Sequence, residues 1–192
     1  MAISIGGMVA IALGIAAFLY AVMLYNGLVN LKHNVAKAWA NIDVLLKQRH
    51  DELPKLVEVC KQYKEFEQST LTRVIEARSQ VQQAREQGDV AALGLAEGAL
   101  RGGLGRLFAI AEAYPELKTN EQFMQLQQRI SALENSIADR REWYNEAVNL
   151  NNVRVEQFPD VILARLFRFD PKALLEFSSA EKADVDIKEL FR

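Results

Sequence analysis

Residues 3–24 form a run of 22 residues dominated by Ile, Leu, Val, Ala, Met and Phe, and no charged side chain precedes Lys32. A helix of that length rises about 33 Å at 1.5 Å per residue, enough to cross a hydrocarbon core of about 30 Å. A transmembrane anchor is therefore expected over residues 1–31. A cleavable signal peptide would carry a basic segment ahead of a shorter apolar core, and here no Lys or Arg comes before the run, so retention is expected. Tyr20 and Tyr25 lie near its downstream end and Lys32, His33 and Lys37 follow, which is the aromatic and basic flank of a cytoplasmic interface. The expected topology is a single pass with the N-terminus outside and the remainder cytoplasmic. Gly7 and Gly14, with Gly6, Ala10 and Ala17 nearby, put small residues on one side of the span, where two such helices can approach closely.

Past the span there is no Gly between Gly27 and Gly88 and a single Pro, Pro54. Apolar positions recur three and four apart at Leu28, Leu31, Val35, Ala38, Ile42 and Leu45, then at Leu53, Leu56, Cys60, Tyr63 and Phe66, and on through Val74, Ala77, Val81 and Ala84. That spacing makes a continuous stripe on one helix face, and it predicts one very long helix. Pro54 removes a backbone donor and crowds the preceding turn, so a kink or register shift near residues 50–53 is expected rather than a chain reversal. Gly88 and Asp89 are the first strong stop and start signals. A second helix is expected over residues 90–113, carrying Gly94, Gly98 and Gly102 four apart. Each internal Gly costs roughly 0.5–1 kcal/mol relative to Ala, so this ladder is expected to serve a close approach of another helix.

Tyr114-Pro115 ends that helix, and Thr119 or Asn120 is expected to cap a third over residues 121–157, striped by Phe123, Leu126, Ile130, Leu133, Ile137, Tyr144, Val148, Val155 and Phe158. Arg140 and Asn151 interrupt the stripe, as polar residues that set register do. After Phe158-Pro159-Asp160, residues 161–169 form a dense apolar segment holding Arg165 and Arg168, expected as a short helix. The fold class is thus all-α: a transmembrane helix continuing into an elongated antiparallel bundle of three long helices plus a short C-terminal one. The bundle is placed at residues 32–171, with a partly disordered tail over 172–192.

Four separated blocks carry a resemblance: "YNGLVNLKHNVAKAWANIDVLLKQRHDELPKLVE" at 25–58, "AEAYPELKTNEQFMQLQQRI" at 111–130, "RREWYNEAVNLNN" at 140–152 and "FPDVILARLFRFDP" at 158–171. In this order the chain resembles the LemA family over nearly its whole length. The resemblance implies a membrane-anchored helical bundle of bacterial origin, with no established enzymatic activity and no agreed ligand; the inner (plasma) membrane is the expected location and no cofactor is expected. Glu52 departs from it, standing where the family pattern has an apolar residue, and so does the glycine-rich stretch 94–105.

Chemistry-bearing motifs are sparse. Lys plus Arg total 23 against 25 Asp plus Glu, a net charge of -2, so no basic field exists to hold nucleic-acid phosphates. One cysteine, Cys60, excludes an intramolecular disulfide or a Cys cluster. Two histidines, without a Glu-x-x-His pair, do not make a di-metal bundle site, and no phosphate loop occurs. No catalytic, cofactor or metal residues are therefore assigned. Trp39, Asp43, Trp143, Tyr144 and Asn145 are expected as polar pins between the first and third helices, since buried polar groups must find partners. Leu163, Leu166, Phe167 and Phe169, with the Gly94, Gly98 and Gly102 ladder, are the expected oligomer or membrane contacts. The function expected is a non-enzymatic membrane scaffold or organiser that self-associates, in contact with membrane lipid. The alternatives are a monomeric adaptor recruiting an unidentified protein partner and a membrane enzyme with an unrecognised site.

Overall fold

The computed structural model describes residues 5–63 and 66–176; most of the expected tail, residues 177–192, lies outside the described residues. Among those described the chain is all-α, as expected. Its helices are α1 (Ile5–Lys61), α2 (Gln68–Gln87), α3 (Val90–Ala111), a single turn α4 (Pro115–Lys118), α5 (Glu121–Glu156) and α6 (Asp160–Phe167). Two compact units are distinguished, Met1–Ala40 with Trp143–Lys172 and Asn41–Glu142 with Ala173–Arg192, each taken over its described residues.

The expected single helix through to Ala84 is corrected: it stops at Lys61 and the chain turns back. The reversal has no Gly or Pro to announce it and is held by tertiary contacts. Tight turn bonds run from Tyr63 N–H to the Cys60 carbonyl and from Phe66 N–H to the Tyr63 carbonyl, at 3.2 and 2.9 Å. Phe66 is buried and its ring lies 5.5 Å from that of Tyr114. Tyr63 Oη donates to the Glu116 carbonyl at 3.3 Å and accepts from Asn120 Nδ2 at 3.3 Å. Pro54 lies inside α1, which continues past it. The carbonyl four residues back, that of His50, loses its usual N–H partner, and Arg78 Nε of α2 donates to it at 3.1 Å.

In the second unit, residues 41–61 of α1 pair antiparallel with α2 through Asp43–Arg85 and His50–Arg78, and with α5 through Glu52–Arg129 and Arg49–Glu134. α2 and α3 form a hairpin about Gly88, whose φ of 67° is the left-handed cap conformation that favours glycine. Asp89 then caps α3 by accepting from Ala92 N–H at 2.9 Å. Of the two candidate caps for α5, it is Asn120 that accepts, from Phe123 N–H at 3.0 Å. The unit is thus an up-down-up-down four-helix arrangement with a core of Ile42, Leu46, Leu53, Leu56, Leu71, Val74, Leu93, Leu100, Leu107 and Ile130. Cys60 is buried and free there.

In the first unit, α5 descends beside α1. The Trp39 and Tyr144 rings lie 5.5 Å apart, and further along Leu28 packs with Val155 of α5 and Ala164 of α6. The order 39 with 144, then 28 with 155, runs α5 toward the apolar end of α1 and leaves α6 there.

Candidate membrane-contact site

α1 is the described helix long and apolar enough to cross a membrane. Its apolar side chains are uncovered from Ile5 to Met23, Leu13 and Phe18 among the most exposed. Burial begins at Leu24 and is complete at Leu28, where α5 and α6 arrive. Tyr25, one residue past the apolar run, meets Phe167 edge-on at 4.8 Å and Phe169 at 5.7 Å. Edge-to-face pairs of this kind add about 0.5–1.5 kcal/mol beyond the area they bury.

α6 is oriented by its first and last residues. Asp160 is buried and accepts from Arg154 Nε at 2.6 Å; Ala164 is buried one turn later. Arg168 closes the helix in the left-handed region at φ 56°, so that Phe169 N–H returns to the Ala164 carbonyl at 2.9 Å. Asn152 then clamps Lys172, accepting from its N–H at 2.8 Å and donating Nδ2 to its carbonyl at 2.9 Å. The four expected contact residues of this segment consequently divide. Leu163 and Phe169 turn inward against the Leu28, Val155 and Ala164 cluster, whereas Leu166 and Phe167 remain exposed. Phe158 and Ile162, which the sequence reading did not single out as contacts, are exposed with them.

The pins are distributed differently from the expectation that all join the first and third helices. Trp39 of α1 and Tyr144 of α5 meet through their rings, and burial pushes the Tyr144 phenol above its ordinary value. Asp43 instead pairs with Arg85 of α2, Nη2 to Oδ2 at 3.0 Å, a correction to that role. The hydrogen bond from Arg85 holds the Asp43 carboxyl below the usual range. Trp143 is largely exposed and Asn145 half-buried. Of the glycine ladder, Gly94 does serve a close approach, but of residue 176 of the same chain, whose carbonyl oxygen lies 2.0 Å from where a Cβ would stand. Gly98 is half-buried, and at Gly102 an added Cβ meets nothing within 4 Å.

A buried ionic cluster in the second unit escaped the sequence reading. Arg49 donates Nη1 to Glu134 Oε1 at 2.6 Å and pairs through Nη2 with Glu97 of α3. Arg49 and Glu97 each retain 1% of their surface. Burial lifts the Glu97 carboxyl above the usual carboxylate range, outweighing the opposing pull of Arg49. Burial alone would lower the Arg49 value, but the two carboxylates overcome it and hold the guanidinium charged. The usable signal was phase: Arg49 falls within the buried series Ile42, Leu46, Leu53 and Leu56, and Glu97 between Leu93 and Leu100. Glu52, the departure from the family pattern, is also buried, held by Lys55 at 3.2 Å and Arg129 at 2.7 Å. Beside it a groove of about 700 Å³ opens along α1 and α5.

Comparison with known proteins gives a match to the model of the LemA family across residues 38–188. Magnetosome protein MamQ 2 of Paramagnetospirillum magneticum is 23% identical over 210 residues, spanning 96% of this chain and 77% of that protein. Magnetosome protein MamQ of Magnetospirillum gryphiswaldense is 25% identical over 182 residues, 82% of this chain and 66% of that protein. Protein LemA of Metamycoplasma hominis is 27% identical over 181 residues, 94% of this chain and 81% of that protein.

Proposed function

We propose, from the premise that this chain belongs to the LemA family, that it is a single-pass, non-enzymatic membrane scaffold whose copies associate through their spans and bundles. The observation that carries the reading is the uncovered state of the apolar part of α1, a length of helix that water cannot solvate cheaply and that nothing among the described residues of its own unit shields. Burying such side chains in lipid is favourable by about 25 cal/mol per Å². Support for association comes from the small-residue side of that helix, where Gly6 and Gly14 have nothing within 4 Å and neighbouring helices in lipid can pack backbone to backbone. The exposed Lys32, His33 and Lys37 beyond Tyr25 support a cytoplasmic bundle and an outer N-terminus.

The names of the relatives MamQ 1 and MamQ 2 attach them to magnetosomes, in keeping with work at a membrane for this chain. The test is the mass of the full-length protein in mild detergent by light scattering, with electron microscopy of the particles. Regular multimers that Gly14→Leu dissolves support the scaffold, and a monodisperse monomer at all concentrations sinks it.

A further inference from the structure

α6 presents the wrong face to water. Its inner side is filled by Asp160 and Ala164, and its outer side carries Ile162 at 58% exposure and Leu166 at 70%, flanked by Phe158 at 75% and Phe167 at 52%. A surface helix of a soluble bundle places polar side chains there, and a contiguous apolar patch on an exposed face calls for a covering surface. What covers it is indicated by where it sits. Phe167 touches Tyr25, and Tyr25 follows the apolar run of α1 by one residue, a rise of about 1.5 Å along that helix. The outer face of α6 therefore lies level with the end of the span, in the same unit, at the depth where the hydrocarbon core gives way to headgroups. Arg165 on this short helix and Arg168 at its C-cap are exposed, with stems long enough to reach headgroup phosphates while their methylenes stay in the apolar layer.

We infer that α6 is a membrane-embedded interfacial helix: Phe158, Ile162, Leu166 and Phe167 insert into the acyl boundary of the bilayer beside the span, and Arg165 and Arg168 bind anionic lipid headgroups. It rests on the membrane anchorage of α1 proposed above. Two different attachments then hold this unit. The span fixes depth, and α6 fixes rotation about the span axis by tying one side of it to the surface. Asp160 has a positioning role, because its bond to Arg154 sets which face of α6 is outermost.

The experiment is depth measurement on the full chain reconstituted in vesicles of mixed zwitterionic and anionic phospholipid. A nitroxide is attached at Leu166→Cys, with Phe18→Cys in the span and Ile75→Cys on the exposed side of α2 as references. Cys60 does not compete for the label, being buried with its thiol pushed up to about 12. The label at position 166 is expected to be reached by oxygen far more than by a water-soluble nickel chelate, at a depth of about 5–10 Å into the headgroup and acyl boundary. Omitting the anionic lipid, or introducing Arg165→Gln with Arg168→Gln, is expected to move it outward. Nickel access equal to that at position 75 overturns the proposal. So does shielding from both reagents with spin–spin broadening, which means that a second copy covers the face. If position 18 also proves water-exposed, the anchorage itself fails. If position 18 is in lipid and 166 is not, only α6 is misassigned. Should Leu166→Cys not fold, Ile162→Cys reports on the same face.

Discussion

Replacing Arg49 by Met tests whether the buried ionic cluster is a unit. The side chain keeps 1% of its surface, as does Glu97, and Glu134 keeps 17%. Met fills most of the volume but leaves Glu97 without its cation in a place water does not reach. Breaking a buried pair in this way costs about 3–5 kcal/mol, and at roughly 2–4 °C per kcal/mol for a chain of this size the melting temperature should fall by about 6–20 °C. Arg49→Met/Glu97→Met removes the stranded charge as well, so part of the loss should return, with a coupling of about 0.5–3 kcal/mol. Acidity gives a second handle. The Glu97 carboxyl titrates above its unfolded value, so the folded state binds the extra proton. Its stabilising effect is full below the unfolded value of about 4.3 and is lost as pH rises through the folded value. The deficit of Arg49→Met should therefore be larger at neutral pH than in mild acid. Thermal melts of the full chain in mild detergent, followed by far-UV circular dichroism, read both effects. A single variant within about 2 °C of the parent, less than 1 kcal/mol on the same scale, would refute the reasoning. A double variant no more stable than the single one would do the same.

His50 supplies the opposite pH dependence. Burial and then the Arg78 charge lower its value, and Arg78 Nη2 lies 2.6 Å from His50 Nε2, an arrangement that suits a neutral ring accepting from the guanidinium. The unfolded state takes up its proton first, so this contribution is complete above about 6.5 and is lost as pH falls through the folded value. His50→Gln should lose less melting temperature than the parent between neutral pH and mild acid; superimposable pH profiles would remove the assignment. Gly102→Ala, with nothing within 4 Å of the new methyl, should raise stability by about 0.5–1 kcal/mol through helix propensity. Gly94→Ala should forfeit that gain by displacing the carbonyl of residue 176, and limited proteolysis should then cut residues 173–176 faster than in the parent. Equal protection of the two variants would show that the segment does not rest on α3.

Much of the helical framework was legible because local signals and burial agreed. Asp89, Asn120 and Gly88 occupy cap positions whose chemistry is visible in three or four residues, and the stripe of α5 carries its own phase. The reversal after Lys61 was not legible for a specific reason. Cys60, Tyr63, Phe66, Thr70 and Val74 continue the three-and-four spacing through the turn, since residues that pack into a corner can be as apolar as those that continue a helix. What stops α1 is the docking of Tyr63 and Phe66 against Glu116, Asn120 and Tyr114, more than forty residues away in sequence, and no window of local pattern contains that information. Pro54, the visible breaker, breaks nothing, because Arg78 takes the carbonyl it frees.

For the proposed contact segment, composition was legible and orientation was not, and the two have different physical origins. An apolar segment with two arginines marks residues 161–169 whatever they pack on. Which of its side chains face outward depends on the phase of an eight-residue helix, too short for periodicity to settle. That phase follows from a polar residue: Asp160 is drawn inward to Arg154, and one turn of helix later Ala164 must then face Leu28. With those two placed, Ile162 and Leu166 are turned to the opposite side by helix geometry alone. Asp160→Leu should accordingly disturb the outer face more than its own burial suggests. Losing the bond to Arg154 frees α6 to roll its large apolar residues inward, and the label depth at position 166 would report that rotation directly.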